Sequence, residues 1–149
     1  MLDLWLAIAH HLIIGGLVAI LAMEFALIRP GITGEEVMRL RRLDGMYGSL
    51  AALILFIGIM RVTNGAKGQE YYMHNMMFWA KMAAFAAVGL LSVPPTFRIY
   101  YWWQAARKDP VYSPPFEEVN RVRGFLKAEA AVFILIPIFA AAVARGITL

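Results

Sequence analysis

Long apolar stretches alternate with short polar ones along the chain, and this pattern predicts four membrane-spanning helices. The apolar stretches lie at about residues 4–28, 34–62, 74–93 and 116–143. Each is long enough to cross a hydrocarbon core about 30 Å thick at a rise of about 1.5 Å per residue. Lipid offers the backbone no hydrogen-bond partners, so such stretches are expected to be helical. We therefore predict an all-α fold, an integral membrane four-helix bundle.

Polar and proline positions mark where these helices should begin and end. Thr33 and Glu36 have the spacing of a capping box, so the second helix should begin directly after Thr33. The prolines at 94–95 should break or kink the third helix, because proline has no N–H for the helical ladder. Ser113 precedes a proline and is the expected N-cap of the fourth helix, which should kink at Pro137.

The composition supports one membrane domain that covers residues 1–149. Hydrophobic residues make up 61% of the chain, more than the roughly half expected of a soluble domain. The chain has 0 cysteines, which excludes disulfides and thiolate metal sites. Because of this high hydrophobic content, the expected partner is the lipid bilayer, and no nucleic acid is expected to bind.

Basic residues are concentrated in two of the polar stretches and predict the orientation. Residues 29–43 and 94–123 hold most of the 14 lysines and arginines. Loops rich in Lys and Arg stay in the cytoplasm. The sequence therefore predicts a multi-pass protein with both termini on the non-cytoplasmic side.

A set of nitrogen-bearing side chains falls in the predicted outer half of the membrane: His10, His11, His74 and Lys81. By helix rise, His10 lies ~9 Å and Lys81 ~10 Å below the outer surface. Ionisable side chains inside a spanning helix are costly and often functional. Imidazole is a common ligand of haem iron and copper, so His10 and His11 are candidate metal ligands. The alternative is that the histidines bond backbone carbonyls and that His74 is a hydrated interfacial residue.

Methionines surround His74 and raise the question of copper, because Met and His together suit copper(I). Methionine is also an ordinary filler of apolar cores, and these methionines do not share one helical face. Copper is therefore the less favoured cofactor. The methionines are Met73, Met76, Met77 and Met82.

A second polar group lies at the predicted inner ends of the helices. It comprises Glu24, Asp44, Lys127 and Glu129, with Arg29, Arg41 and Arg42 nearby. Snorkelling side chains that form an interfacial ion network are one explanation, favoured for Lys127 and the arginines. Glu24 and Glu129 could instead take up protons or pair with a substrate. On an ideal helix, Glu24 lies on the same face as His10 and Leu17.

Two short motifs carry a resemblance to known membrane proteins. They are the segment 4–10, which ends in His10, and the segment 78–81, which ends in Lys81; Arg29 and Glu129 match more loosely. On these residues the chain resembles a small bacterial four-helix membrane family without assigned function. It also resembles the wider group that holds the HemJ type of protoporphyrinogen oxidase and the CopD-like copper-resistance domains.

The resemblance implies a b-type haem and a functional pair formed by His10 and Lys81, the positions of the HemJ-type histidine and lysine. His11 and His74 would be further cofactor-binding residues. The chain differs from the HemJ pattern around Glu129, where an asparagine before the glutamate and a proline soon after it are missing. It also adds the second histidine, His11. The implied location is the bacterial cytoplasmic (inner) membrane.

Two hypotheses of different class follow. The favoured one is a haem- or porphyrin-binding membrane redox protein; as an enzyme it would oxidise a porphyrinogen and pass electrons to a membrane carrier. The alternative is a non-enzymatic subunit, a small transporter with copper among the options, or an accessory of a larger membrane complex. Apolar helix faces could meet lipid or another subunit of a homo-oligomer.

Overall fold

The computed structural model describes residues 1–64, 68–109 and 111–147, and all the regular structure in these ranges is helical. Four helices or helix pairs are long and apolar enough to span a membrane: α1, α2, α4, and α5 together with α6. The predicted all-α fold with four spanning helices is therefore confirmed. The helices are α1 (Leu2–Leu27), α2 (Gly34–Asn64), α3 (Gly68–Met73), α4 (Met76–Lys108), α5 (Phe116–Phe133) and α6 (Leu135–Ala144).

The spanning helices run up and down, so that consecutive ones pack side by side. Helix α1 packs along α2, α2 packs on α4, and α4 packs on both α5 and α6. The segments that follow α1 and α4 meet where the Ser113 hydroxyl donates to the Ile32 carbonyl at 2.9 Å. We call this the Ser113 end of the bundle. At the opposite end, called the termini end, the Tyr71 hydroxyl donates to the Val143 carbonyl at 2.7 Å.

The start of α2 is the predicted capping box. The Thr33 backbone N–H donates to Glu36 Oε2 at 2.9 Å, and the Glu36 N–H donates to Thr33 Oγ1 at 3.3 Å. Arg29 adds an ion pair to Glu36 at 2.7 Å. Gly31, with φ of +82°, makes the turn that joins α1 to this box, a conformation that glycine adopts without a steric penalty.

Helix α4 differs from its predicted range of 74–93 at both ends. It begins at Met76, because the Asn75 side chain caps it by accepting a bond from the Phe78 N–H at 3.2 Å. It continues through the prolines at 94–95 as far as Lys108. Membrane helices tolerate proline where their neighbours supply the missing interactions.

Packing beyond the prolines explains why α4 continues. Ile99 is 0% exposed and Trp102 is 1% exposed, both against the rest of the bundle. The Trp102 indole N–H donates to Glu118 Oε2 on α5 at 2.9 Å. With 33 residues, α4 is ~50 Å long and extends past a hydrocarbon core of ~30 Å.

The last span begins at Phe116 as predicted, but its cap and its bend differ from the prediction. Ser113 does not cap α5, because its hydroxyl bonds Ile32; Pro115 stands at the cap without a side-chain bond. The helix breaks at Ile134 and not at Pro137. Pro137 has no N–H for the carbonyl four residues earlier, so the ladder is interrupted one turn before the proline.

Candidate functional site

His10 is a half-buried side chain of α1 that faces α2. A Cβ atom added to Gly58 of α2 would lie 3.8 Å from His10 Cε1, so the missing side chain leaves room for the ring. The Nδ1 atom of His10 is buried and has no hydrogen-bond partner in the described part of the chain. As predicted, His10 points into the bundle on the face of α1 that also buries Leu17 and Glu24.

Lys81 is half-buried on α4, and its Nζ lies 5.5 Å from the centroid of the Phe78 ring. It interacts electrostatically with His10 and with Arg61 of α2. No carboxylate of residues 1–64, 68–109 or 111–147 lies within ion-pair distance of it.

Arg61 is the residue of this site that sequence reasoning missed, because it was counted only as a charge of a short loop. It lies in the last turn of α2, one turn from Gly58, and it is half-buried. Its Nε atom is buried without a partner among the described residues. The spacing of Arg61 and Gly58 on one helical face is the sequence signal that could have found it. We call His10, Arg61 and Lys81 the basic site.

The two other histidines lie outside the basic site. His11 is exposed, and its Nδ1 lies 2.7 Å from the Ala7 carbonyl oxygen on its own helix. Its ring centroid is 6.4 Å from that of His10. His74 is exposed between α3 and α4, with Nδ1 3.0 Å from the Glu70 carbonyl oxygen. No group of three or more His, Cys, Asp or Glu side chains that could hold a metal ion occurs in the described ranges.

Three buried carboxyl groups near the Ser113 end form a second site, which we call the carboxyl cluster. Glu24 of α1 is 4% exposed, Asp44 of α2 is 7% exposed and Glu129 of α5 is 1% exposed. Glu24 interacts electrostatically with both of the others. The three acids of the group predicted at the inner helix ends are therefore brought together inside the bundle, and not at its surface.

Hydrogen bonds hold two of the three carboxyl groups. The Tyr47 hydroxyl donates to Glu129 Oε1 at 2.5 Å, and the Thr96 hydroxyl donates to Asp44 Oδ1 at 2.6 Å. Asp44 Oδ2 also lies 3.1 Å from Arg41 Nη1. The buried Glu24 Oε1 has no partner in the described part of the structure.

Sequence analysis missed Tyr47 and Thr96 but separated Lys127 from Glu129 correctly. Lys127 is exposed, whereas Glu129 on the opposite face of α5 is buried. Lys127 therefore fits the predicted snorkelling role, and Glu129 does not. A tyrosine and a threonine in apolar helices are common, so their pairing with carboxyl groups became visible only in the packed bundle.

The basic site and the carboxyl cluster are separate regions of the same bundle. Along α1, His10 and Glu24 are ~21 Å apart at 1.5 Å per residue. Along α4, Lys81 and Thr96 are ~22 Å apart by the same rise. Two surface concavities, of 580 and 390 Å³, lie along the outer side of α2 beside Arg42 and include no residue of either region.

Comparison with curated proteins and with solved structures finds no match. The resemblance to the HemJ-type and CopD-like groups therefore stays a prediction. A family model described as predicted membrane protein (DUF2214) matches residues 2–148. This match covers nearly the whole chain and agrees with the four apolar spans. The chain belongs to this family of predicted membrane proteins.

Proposed function

We propose that this membrane protein binds a porphyrin or haem at the basic site. The observation that carries the proposal is a cluster of His10, Arg61 and Lys81 that interact in the bundle without a nearby carboxylate among the described residues. Like charges gathered in a low-dielectric region repel, and a missing counter-charge must come from elsewhere. An anionic ligand would supply it.

A porphyrin fits the donor set on three counts. Its acidic side chains suit Arg61 and Lys81, since guanidinium and ammonium groups form strong hydrogen bonds to carboxylates. Its flat apolar ring suits a space between helices of a bundle. If the ring carries iron, the unpartnered imidazole of His10 would be the side chain that holds the iron. The orphaned Nδ1 of His10 and Nε of Arg61 are the atoms that support this fit.

The proposed roles concern this chain's own residues. Arg61 and Lys81 would hold the acidic groups and orient the ring, and His10 would approach its centre from α1. A bound haem would supply one-electron redox chemistry, and the helices around it would exclude water. As a redox enzyme, the protein would remove hydrogen from a porphyrinogen and pass electrons to a membrane carrier. His11 and His74, both exposed, would contribute less than His10.

Location and orientation belong to the same proposal. The distribution of Lys and Arg favours both termini on the non-cytoplasmic side of a bacterial cytoplasmic membrane. The basic site would then lie in the outer half of the membrane. Exposed apolar side chains such as Phe56, Leu90 and Phe97 would meet lipid or a second subunit.

The test is the absorption spectrum of the purified protein, measured as isolated and after titration with haem. We expect a Soret band that is lost in His10→Ala and kept in His74→Ala, because only His10 faces the bundle interior. Lys81→Met should fold, because it removes a buried charge, and should bind haem less tightly. Lys127→Met is the matched control, because Lys127 is exposed at the other end. Full haem occupancy in His10→Ala would rule out the ligand assignment.

The alternative function, a small transporter or a non-enzymatic subunit of a larger complex, is favoured by the carboxyl cluster. Acids inside a spanning helix are typical of ion and proton pathways. Copper is a less favoured cargo, since the methionines that could join His74 as copper(I) ligands do not share one helical face. Absence of a Soret band after haem titration, with the fold intact, would favour this alternative.

A further inference from the structure

We propose that the carboxyl cluster is a proton-binding site in which Glu24 carries a proton at neutral pH. The inference concerns a region ~21 Å from His10 along α1 and does not depend on the bound group at the basic site. It rests on the charges around the cluster, on its hydrogen bonds and on one unpartnered oxygen atom.

The carboxyl cluster contains more acidic groups than cations that pair with them among the described residues. Glu24, Asp44 and Glu129 contribute three acidic groups, and Arg41 is the only cation that forms an ion pair with any of them in the described ranges. Arg123 of α5 is nearby but is engaged elsewhere: its guanidinium donates to the Phe25 and Ile28 carbonyls. Three ionised carboxylates would therefore leave an excess of negative charge in the bundle, which a bound proton reduces.

The hydrogen bonds of the carboxyl cluster indicate that Glu24 is the group that holds the proton. Tyr47 donates to Glu129, and Thr96 donates to Asp44, so these two carboxyl groups act as acceptors. An ionised carboxylate only accepts hydrogen bonds, and these two are stabilised as acceptors. Glu24 has no such donor at Oε1, although it is 4% exposed. Its neutral form needs no counter-charge and carries an O–H of its own.

The neighbouring helices surround Glu24 with acidic or uncharged groups. The charged groups that act on it are Asp44 from α2 and Glu129 from α5, and both are acidic. Tyr47 from α2 bonds Glu129, and the uncharged Thr96 from α4 bonds Asp44. A buried acid that faces other acids is stabilised in its protonated form.

A proton fits the cluster better than a metal ion. Metal ions such as Mg²⁺ or Ca²⁺ need several oxygen ligands that converge on one point. The described residues contain no group of three carboxylates or histidines arranged for a metal. Glu24 lies one turn before the end of α1, so the Ser113 end of the bundle is the nearer surface for proton exchange.

The test is infrared spectroscopy of the purified protein, which detects the C=O stretch of a protonated carboxyl group and its shift in heavy water. At neutral pH we expect such a band in the original protein and its loss in Glu24→Gln. Glu117→Gln is the control, because Glu117 is exposed at the start of α5 and should leave the band unchanged. Absence of the band from the original protein, or its persistence in Glu24→Gln, would overturn the proposal.

A second variant keeps the test decisive if Glu24→Gln does not fold. Asp44→Asn removes one of the charges that act on Glu24, so the band should disappear at a lower pH than in the original protein. An unchanged titration would contradict the proposed coupling. The measurement is repeated with and without Na⁺ and Mg²⁺. A band that appears only when these ions are removed would show that a cation occupies the cluster, and the proton assignment would be wrong.

Discussion

The basic site and the carboxyl cluster each contain charged groups of one sign inside the bundle. They differ in whether the chain itself supplies hydrogen-bond partners for those groups. The carboxyl cluster has donors within the chain, from Tyr47, Thr96 and Arg41. In the basic site, the Nδ1 of His10 and the Nε of Arg61 are buried without a hydrogen-bond partner among the described residues. Hydrogen bonds within the chain therefore satisfy most of the carboxyl cluster, whereas two buried nitrogen atoms of the basic site have no such bond among the described residues.

The chemistry of the side chains makes this difference informative. An excess of carboxylates can be neutralised by protons, which are always available from water. An arginine stays protonated at any physiological pH, so the guanidinium charge of Arg61 needs an anion instead. We therefore propose a proton for the carboxyl cluster and an acidic ligand for the basic site.

Reporter fusions test which region faces outward and give the largest expected effect, activity against none. A reporter that is active only outside the cytoplasm should be active after Leu149 and inactive after Lys108, because the basic segments should stay inside. The opposite pattern would place the carboxyl cluster, and not the basic site, in the outer half of the membrane.

Filling the space beside His10 should weaken ligand binding at the basic site alone. In Gly58→Leu the new side chain meets His10, because even a Cβ atom there would lie 3.8 Å from the ring. Haem titration should show at least about a tenfold loss of affinity, equal to ~1.4 kcal/mol.

Gly15→Leu is the matched control, because a Cβ atom at Gly15 would have no neighbour within 4 Å. It should bind haem like the original protein. Equal affinity in the two variants would mean that the ligand does not depend on the space between His10 and α2.

Removing one internal donor should destabilise the carboxyl cluster. Tyr47→Phe leaves Glu129 Oε1 without the hydroxyl that donates to it, in a residue that is 1% exposed. The loss should be about 1–3 kcal/mol in the free energy of unfolding, the cost of an unsatisfied buried group. Denaturation in detergent measures it, with Tyr101→Phe as the control on an exposed tyrosine. A Tyr47→Phe variant as stable as this control would show that the hydrogen bond contributes nothing.

Local signals in the sequence predicted several features that the structure confirms. The capping box of Thr33 and Glu36 is a pattern of neighbours in the chain, and it places the start of α2 correctly. The face shared by His10, Leu17 and Glu24 follows from the helical repeat within one helix. Both predictions depend only on geometry inside a single element.

Features that depend on contacts between helices were missed. The apolar pattern of α2 does not fix its rotation, so the sequence could not show that Arg61 and Tyr47 face inward. The rotation follows from packing, including the close approach of α1, where a Cβ atom on Gly16 would lie 3.1 Å from Leu50 Cδ1. Similarly, α4 continues through its prolines because Trp102 packs and bonds beyond them, against the local preference of proline.

The most direct test of the central claim compares haem with its dimethyl ester, in which both acidic groups are blocked. If the basic site needs an external anion, the original protein should bind haem at least about tenfold more tightly than the ester, since hydrogen bonds to charged groups contribute ~1.5–3 kcal/mol. In the double variant Arg61→Met with Lys81→Met, this preference should disappear. Equal affinity of the original protein for haem and for the ester would contradict the claim that the basic charges await an acidic ligand.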